Sequence, residues 1–509
     1  MADAKSPSNN IPTPRAAVLC QSSLGRPIWV QNAKLMPFIQ KPWSETLKAD
    51  LLNLLKDTLE IPVTPRGLVQ ASNRLESEER DSTNYDAVWV RDTVWVFKAL
   101  LAEGRMQDAK AMVVALLDYF GSDAQLARLD KVVSSPECIQ GSAGPMEVLH
   151  IRFDGRSETF GDVHVNGEPQ FWNHKQNDAL GIFYSSVAEY LESGLLKPEE
   201  LNSAHWKFLT RLPTYFERVE YFNMPDAGAW EELERINTSS IALVTDGLEK
   251  WKKLFESSEA VRAAISQQGV SYTDEVLGDS ARLSKLLDHG YRRIHAQIPF
   301  ESPTHEVDSL QFRKSDAALL NLLAPCQLER VTTSQLVSTL SSVDLLCGPR
   351  GVRRYFNDAY QSGNYWIKGV QEAGLEGTDA WTDDCSAPAD FEKRTSHMLR
   401  GTEAQWFFDS WISYGISQLL KRRDLSEAQR SQLTEQRMHH LHRSLGQVTG
   451  GTESNPEIGA DGKRVAAWAC PESYNTVVLA DGIRRFAPSP ITPLNWAKAS
   501  LRLAISAIE

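Results

Sequence analysis

DTVWVFKALLAEGRMQDAKAMVVALLDYF, residues 92–120, is the stretch that decides the fold. Residues 92–103 read as one helix that ends at Gly104, and 106–120 as a second that ends at Gly121. Each glycine suits a left-handed C-cap, so the pair predicts a helical hairpin. The pattern recurs along the chain. Asp178 to Ser193 carries Leu180, Phe183, Tyr184, Val187, Tyr190 and Leu191 at helical spacing and stops at Gly194, and a partner helix follows over 198–219. Thr238 or Ser239 can cap a helix whose stripe is Ile241, Val244, Leu248, Trp251 and Phe255. Later segments, 402–420, 425–445 and 475–485, read as helices, and a closing helix opens at Thr492-Pro493 with proline at its first helical position. Sustained period-two alternation is almost absent. The expectation is an all-α fold in which inner and outer helices alternate as one α/α barrel. A superhelix of repeats is the other all-α option, but no fixed sequence period supports it.

The chain has 509 residues, enough for one large barrel or for two to three ordinary domains. Residues 1–40 read as a polar leader, partly disordered, and 41–509 as a single catalytic domain. Apolar content of 42% and charged content of 24% are those of an ordinary globular protein. The formal charge of −12 is spread along the chain, which argues against nucleic acid or an anionic membrane as partner and leaves a neutral or small polar ligand. A homo-oligomer stays open. The six cysteines, Cys20, Cys138, Cys326, Cys347, Cys385 and Cys470, form no CxxC and no His/Cys cluster, so free thiols are expected and no metal or cofactor is called for. The N-terminal residues lack the apolar core of a signal peptide, and no stretch reaches ~18 uninterrupted apolar residues; a cytoplasmic location is the expectation.

In a barrel of this kind, groups far apart in sequence converge in the loops that join helices at one end. The polar motifs are expected just before helix starts. Tyr85-Asp-Ala-Val-Trp89-Val-Arg91-Asp92 places an Arg beside an Asp, which can share vicinal hydroxyls while pairing with one another; a capping Asp in a surface ion pair is the alternative. Trp172-Asn-His174-Lys-Gln176-Asn-Asp178 opens the next long helix, where Asp178 could be only its N-cap and Trp172 only core. Trp230-Glu231-Glu232 sets two carboxylates beside an indole. Neighbouring negative charge and an apolar ring both raise a carboxyl pKa, as a general acid requires; a solvated acidic loop is the plain alternative. Arg354 could bind substrate or simply pair with Asp358, next to Tyr355 and ahead of Tyr365-Trp366. Glu472, between Pro471 and Tyr474, could be an acid at a helix N-terminus. Fourteen tryptophans, several beside charged residues, suit sugar pockets, where C–H faces stack on indole and hydroxyls bond to charged groups.

Taken in order, these segments resemble glycoside hydrolase family 15, the glucoamylase family, and its relatives in the N-terminal parts of phosphorylase kinase α and β subunits. The resemblance rests on WxRD at Trp89–Asp92, WxxxQxD at Trp172–Asp178, WEE at Trp230–Glu232, RYxxD at Arg354–Asp358 and the final Glu472-Ser-Tyr474, with PLNWAKASLRLA looking like the family's last barrel helix. It implies an (α/α)6 toroid of six helical hairpins and an inverting, exo-acting α-glucosidase. Glu231 would be the general acid and Glu472 the general base that activates water. Arg91, Asp92 and Arg354 would grip hydroxyls, Tyr85 would sit near the developing oxocarbenium, Trp172 would support Glu231, and Glu232 would face the leaving group. Trp89, Gln176, Asp178, Trp230, Tyr355 and Asp358 complete the expected substrate-binding set. In an inverting pair the carboxyls stand ~6.5–9.5 Å apart, with room for a water.

Departures from the family bear on the substrate. Leu-Glu-Arg-Ile between Glu232 and Asn237 makes that loop longer than in fungal glucoamylases, and neither an N-terminal β-domain nor a starch-binding module is legible. A small α-glucoside such as a disaccharide, trehalose or glucosylglycerol is expected rather than granular starch. Two other readings stand beside this one: a non-catalytic regulatory sugar-binding domain like those of phosphorylase kinase, and an enzyme whose acceptor is phosphate or another sugar, of which a phosphorylase would want an anion site that the motifs do not provide.

Overall fold

A computed structural model describes residues 14–72, 85–156, 159–165, 167–363, 385–396, 398–479 and 482–508. Through these residues outer and inner elements alternate. Helix α1 (Glu45–Leu54) is outer and α2 (Val90–Ala102) inner; α3 (Met106–Phe120) is outer and α4 (Asn177–Glu192) inner; α5 (Ser203–Arg218) is outer and α6 (Thr238–Ser257) inner. After the outer α7 (Ser280–Gln297), a 3-10 segment, Ala317–Leu322, takes the fourth inner place. The outer α8 (Thr333–Asp344), inner α9 (Phe408–Leu419), outer α10 (Glu427–Gly446) and inner α11 (Asn495–Ser506) complete the ring. The inner layer closes on itself. α2 packs on α4, α4 on α6, α6 on the 3-10 segment, that segment on α9, α9 on α11, and α11 back on α2. The first and last helices also meet, because Lys48 Nζ in α1 donates to the carbonyls of Ser506 and Ile508. The fold is the expected (α/α)6 barrel.

Residue type explains which helix lies inside. Inner helices are enclosed on nearly all sides, as in α2, where Val94, Trp95, Val96 and Phe97 in succession are fully buried. Outer helices bury one stripe; α7 buries Leu283, Leu286, Leu287, Gly290, Tyr291 and Ile294 and turns its charged residues outward. The tightest inner crossing is that of α4 on α6. A Cβ on Gly181 would lie 2.6 Å from the backbone N of Val244, so only glycine permits this approach. Near the ring's centre Trp95, Trp411 and Trp496, from α2, α9 and α11, pack with centroids 5.2 and 5.5 Å apart.

Several sequence expectations need correction. Gly104 and Gly194 adopt the left-handed φ of 85° and 74°, but Gly121 does not. There a Cβ would lie 3.0 Å from the Leu117 carbonyl oxygen and 3.3 Å from Ala204 Cβ, so close packing of α3 on α5 accounts for the glycine. The cap of α6 is Asn237; Thr238 instead turns its hydroxyl to the carbonyls of Phe300 and Glu301. Pro493 precedes α11 rather than opening it. The helix expected over 402–420 begins at Phe408, because Gln405–Trp406 is a strand. The helix expected over 475–485 does not form: Ser473–Val478 and Arg484–Pro488 are antiparallel strands, and Gln405–Trp406 pairs with the first on its other edge. Thr476-Val477-Val478 is β-branched, and the strand is buried on both faces, so no alternation marks it. From residue 14 onward the expected leader belongs to the fold. Its hairpin, Val18–Gln21 with Pro27–Val30, leads to Gln31, whose N–H donates to the Gly446 carbonyl at 2.9 Å. Residues 1–13 lie outside the described residues, as do Tyr365 and Trp366. Among the described residues no helix is long and apolar enough to cross a membrane.

Candidate active site

Each inner element returns through an outer one, so the N-termini of the inner elements gather at one end of the ring. Segments at that end enclose a cavity. Tyr85, Trp89, Arg91, Asp92, Trp172, Trp230, Glu231, Arg354 and Glu472 line it, joined by Tyr360, Arg394, Trp406, Leu494 and Trp496. Motifs from as far apart as residues 85 and 472 thus share one wall.

Glu231 ends a short 3-10 turn, Gly228–Trp230, in a left-handed conformation (φ 58°, ψ 42°) that non-glycine residues seldom adopt. The turn is clamped from behind. Asp226 accepts from Asn237 Nδ2 at 2.7 Å and from the Asn177 N–H at 2.9 Å, and the Ala227 N–H donates to the Lys175 carbonyl at 2.8 Å. At the carboxylate, Trp89 Nε1 donates to Oε2 at 3.2 Å, and Arg91 lies 3.5 Å from Oε1. Support for Glu231 therefore comes from Trp89, not from Trp172. Arg152 lies over both indole faces, its guanidinium carbon 4.1 Å from the Trp172 centroid and 5.0 Å from that of Trp89.

The expected mutual pairing of Arg91 and Asp92 is not the arrangement found. Arg91 Nε donates to Asp178 Oδ2 at 2.6 Å, and its NH2 donates to Gln176 Oε1 at 2.8 Å. Gln176 and Asp178 hold Arg91 from outside the cavity, while Asp92 keeps its carboxylate on the lining. Glu232 also departs from expectation. It faces away from the cavity, 1% exposed, and accepts from Arg354 NH2 and Tyr355 Oη, each at 2.6 Å. The left-handed residue 231 turns the chain so that adjacent glutamates diverge. Arg354 also forms a two-toothed pair with Asp358, both contacts at 2.7 Å. Tyr355, Asp358 and Glu232 are thus the frame of Arg354, and Trp230 is fixed by its Nε1 donation to Asp316 at 2.8 Å.

Glu472 lies at the start of the buried strand rather than at a helix N-terminus. Tyr85 Oη donates to its Oε1 at 2.8 Å, and Gln361 Nε2 to its Oε2 at 2.7 Å. Sequence reasoning missed Gln361, Tyr360, Arg394, Trp406, Trp496 and Arg152. Trp406 had a signal: like Trp89, it stands just before an inner helix.

Burial dominates the electrostatics. It pushes Asp92 and Glu472 up to about 7, and Arg91 pulls the former down while the hydroxyl of Tyr85 and the amide of Gln361 oppose the latter's rise. Glu231 is raised by burial too, against the pull of Arg91 and the Trp89 N–H, while the cations around Glu232 hold that carboxyl below its ordinary value. Glu232 thus keeps its charge turned away and is not what raises Glu231. Among the described residues the metal-like grouping is Asp344, Cys347 and His440, remote from the cavity; His440 is committed to Asp409 at 2.7 Å and Gln436 donates to Asp344 at 2.6 Å.

These shifts predict the pH dependence of stability. Asp92, Asp226 and Glu472, each near 7 in the folded chain, bind more protons folded than unfolded between about pH 4 and 7, so their contribution is lost as pH rises through that window. Half-buried His439 and buried His442, lowered to about 3 and 4, act oppositely, and their stabilisation is complete above about pH 6.5. From about pH 6.5 to 8 the carboxyl contribution is still being lost, and His440, held protonated against burial by Asp344 and Asp409, loses its stabilisation in the same direction, so the thermal midpoint is expected to fall across that range. Differential scanning fluorimetry at constant ionic strength reads it, and a midpoint that climbs to pH 8 counts against the burial of these carboxyls.

Comparison with known proteins adds three findings. The model of the family described as glycosyl hydrolases family 15 matches residues 47–469. Among relatives, the uncharacterized lipoprotein YgeQ of Escherichia coli (strain K12) is 32% identical over 203 residues, 39% of this chain and 77% of that protein. The probable phosphorylase b kinase regulatory subunit alpha of Caenorhabditis elegans is 24% identical over 298 residues, 54% of this chain but 21% of that protein. Among solved structures, one titled "Glycosidase Wild Type" superposes with a TM-score of 0.55 at 14% identity, over 92% of this chain and 99% of that one; another, a glycosidase variant in complex with glucose, gives 0.52. These superpositions bear on the ring architecture alone.

Proposed function

The chain belongs to glycosyl hydrolases family 15 and is a glycoside hydrolase; from that premise we propose that it is an inverting, exo-acting α-glucosidase that releases β-glucose from a small α-glucoside. The observation that carries the reading is that Glu231 and Glu472, from motifs about 240 residues apart, line one cavity together with Asp92 and Arg91. In this reading the barrel, together with the Val18–Val30 hairpin that leads into it, acts as one catalytic domain, in the cytoplasm.

The terminal glucose lies between the tryptophan faces, with Arg91 donating to its hydroxyls and Asp92 accepting from them. Glu231 protonates the glycosidic oxygen as the bond to the anomeric carbon breaks. Once ionised it is stabilised by the Trp89 N–H and by Arg91. Glu472 takes a proton from a water on the opposite face of the sugar, and the water's oxygen joins the anomeric carbon with inversion. Tyr85, donating to Glu472, also stands near the carbon that develops positive charge. Glu472 must be ionised and Glu231 protonated in the same molecule, so kcat/KM for these glycosides is expected to pass through a maximum and fall on both sides of it, as a pH–rate profile of kcat/KM would read.

Disaccharides, trehalose and glucosylglycerol are the substrates to try. Proton NMR of fresh reactions tests the proposal most directly with glucosylglycerol, whose only glucose is the transferred one, because β-glucose must appear before mutarotation mixes the anomers. α-Glucose appearing first from glucosylglycerol would overturn inversion; trehalose, whose leaving sugar keeps its α configuration, is expected to give both anomers in equal amounts. The similarity to a kinase regulatory subunit favours one other reading, a sugar-binding domain without turnover; measurable sugar binding with no glucose from any compound would establish that instead.

A further inference from the structure

We infer that Gln361 is a positioning residue for Glu472, setting the orientation of its carboxylate. This rests on Glu472 being the base.

Gln361 is fully buried and adopts a left-handed φ of 59°, a conformation uncommon for glutamine that aims its side chain back across the loop. Its Nε2 donates to Glu472 Oε2 at 2.7 Å, and its Oε1 accepts from Ser473 Oγ at 3.0 Å. The amide is therefore fixed from the residue next to the base, and its N–H side cannot turn away without losing both bonds. Tyr85 holds the other oxygen, while Ser489 Oγ lies 3.4 Å from Oε2. With Tyr85 on Oε1, and Gln361 and more distantly Ser489 on Oε2, the carboxylate plane is set and a lone pair on Oε1 remains for water. Gln361 also shares a short loop with Arg354, Asp358 and Tyr360; Asp358 accepts from the Tyr360 N–H at 3.0 Å, so one stretch of chain frames both a cavity guanidinium and the base.

The charged and titratable groups that face Glu472 are Tyr85, Tyr360, Asp92 and Arg354. Of these, Arg354 favours its ionised form by charge and Asp92 opposes it. Gln361 is a neutral donor that favours the ionised form, so its removal must raise the carboxyl's pKa.

The experiment compares the unaltered chain with Gln361→Leu, Ser473→Ala and Glu472→Gln, using α-D-glucosyl fluoride as substrate and recording kcat, KM and the pH profile of kcat/KM. For Gln361→Leu the acid limb is expected to move up by about one pH unit and kcat to fall about tenfold, with KM little changed. Ser473→Ala, which loosens the amide but keeps the donor, is expected to move the limb in the same direction by less. A folded Gln361→Leu with an unmoved limb overturns the positioning role while Glu472→Gln remains inactive. An active Glu472→Gln, or no hydrolysis by the unaltered chain, overturns the parent reading and this inference with it.

Discussion

Glu231→Gln is expected to lower turnover of disaccharides by ~10²–10⁴-fold while leaving α-D-glucosyl fluoride within about tenfold of the unaltered rate. The contrast follows from the leaving group. A sugar alkoxide must be protonated as it departs, whereas fluoride leaves as a stable anion. Glutamine keeps the shape of glutamate, and its carbonyl can still accept from Trp89 Nε1. Arg91 loses one partner but retains Asp178, Gln176 and the Gly228 carbonyl, so the frame survives. Circular dichroism and the thermal midpoint should therefore be close to those of the unaltered chain. A variant that loses both substrates equally would show that Glu231 does something other than donate a proton.

Much of this site could be read in the sequence because the motifs at Arg91, Gln176 and Trp230 stand at or just before inner helices, and the closed ring brings such positions together; Arg354 and Glu472 arrive instead on a loop and at a buried strand. What could not be read is which neighbours turn toward the cavity. Glu231 and Glu232 are adjacent, yet a single left-handed residue separates their directions, and Glu232 becomes the anchor of Arg354 and Tyr355. Arg91 and Asp92 likewise read as a pair, but on a helix consecutive side chains point about 100° apart, and Arg91 finds Asp178 on the neighbouring inner helix. Asp178 is thus an anchor for Arg91 rather than the N-cap of its helix, a place taken by Gln176. The strand Ser473–Val478 was hidden because it is buried on both faces, and with it the setting of Glu472. Gln361 carried no signal at all. Its role depends on a contact across 111 residues and on a backbone conformation that residue type does not announce.

Glu472→Gln is expected to lower turnover of both substrate classes by ~10²–10⁴-fold, because attack by water needs a base whatever the leaving group. The substitution should be tolerated structurally. An amide at 472 can turn its carbonyl toward Gln361 Nε2 and its NH2 toward Tyr85, whose hydroxyl is able to accept as well as donate. It also removes a carboxyl that burial already raises to about 7, so folded stability at pH 8 should rise slightly rather than fall. The two glutamine variants decide the roles only as a pair. Burial raises both carboxyls, and Glu472, held by the hydroxyl of Tyr85 and the amide of Gln361, has no less claim than Glu231 to hold a proton in the site. Electrostatics alone would therefore permit the reverse assignment, with Glu472 as acid and Glu231 as base. If Glu472→Gln spares the fluoride and Glu231→Gln does not, the roles are exchanged. If only Glu231→Gln spares it, proton donation belongs to Glu231 and activation of water to Glu472.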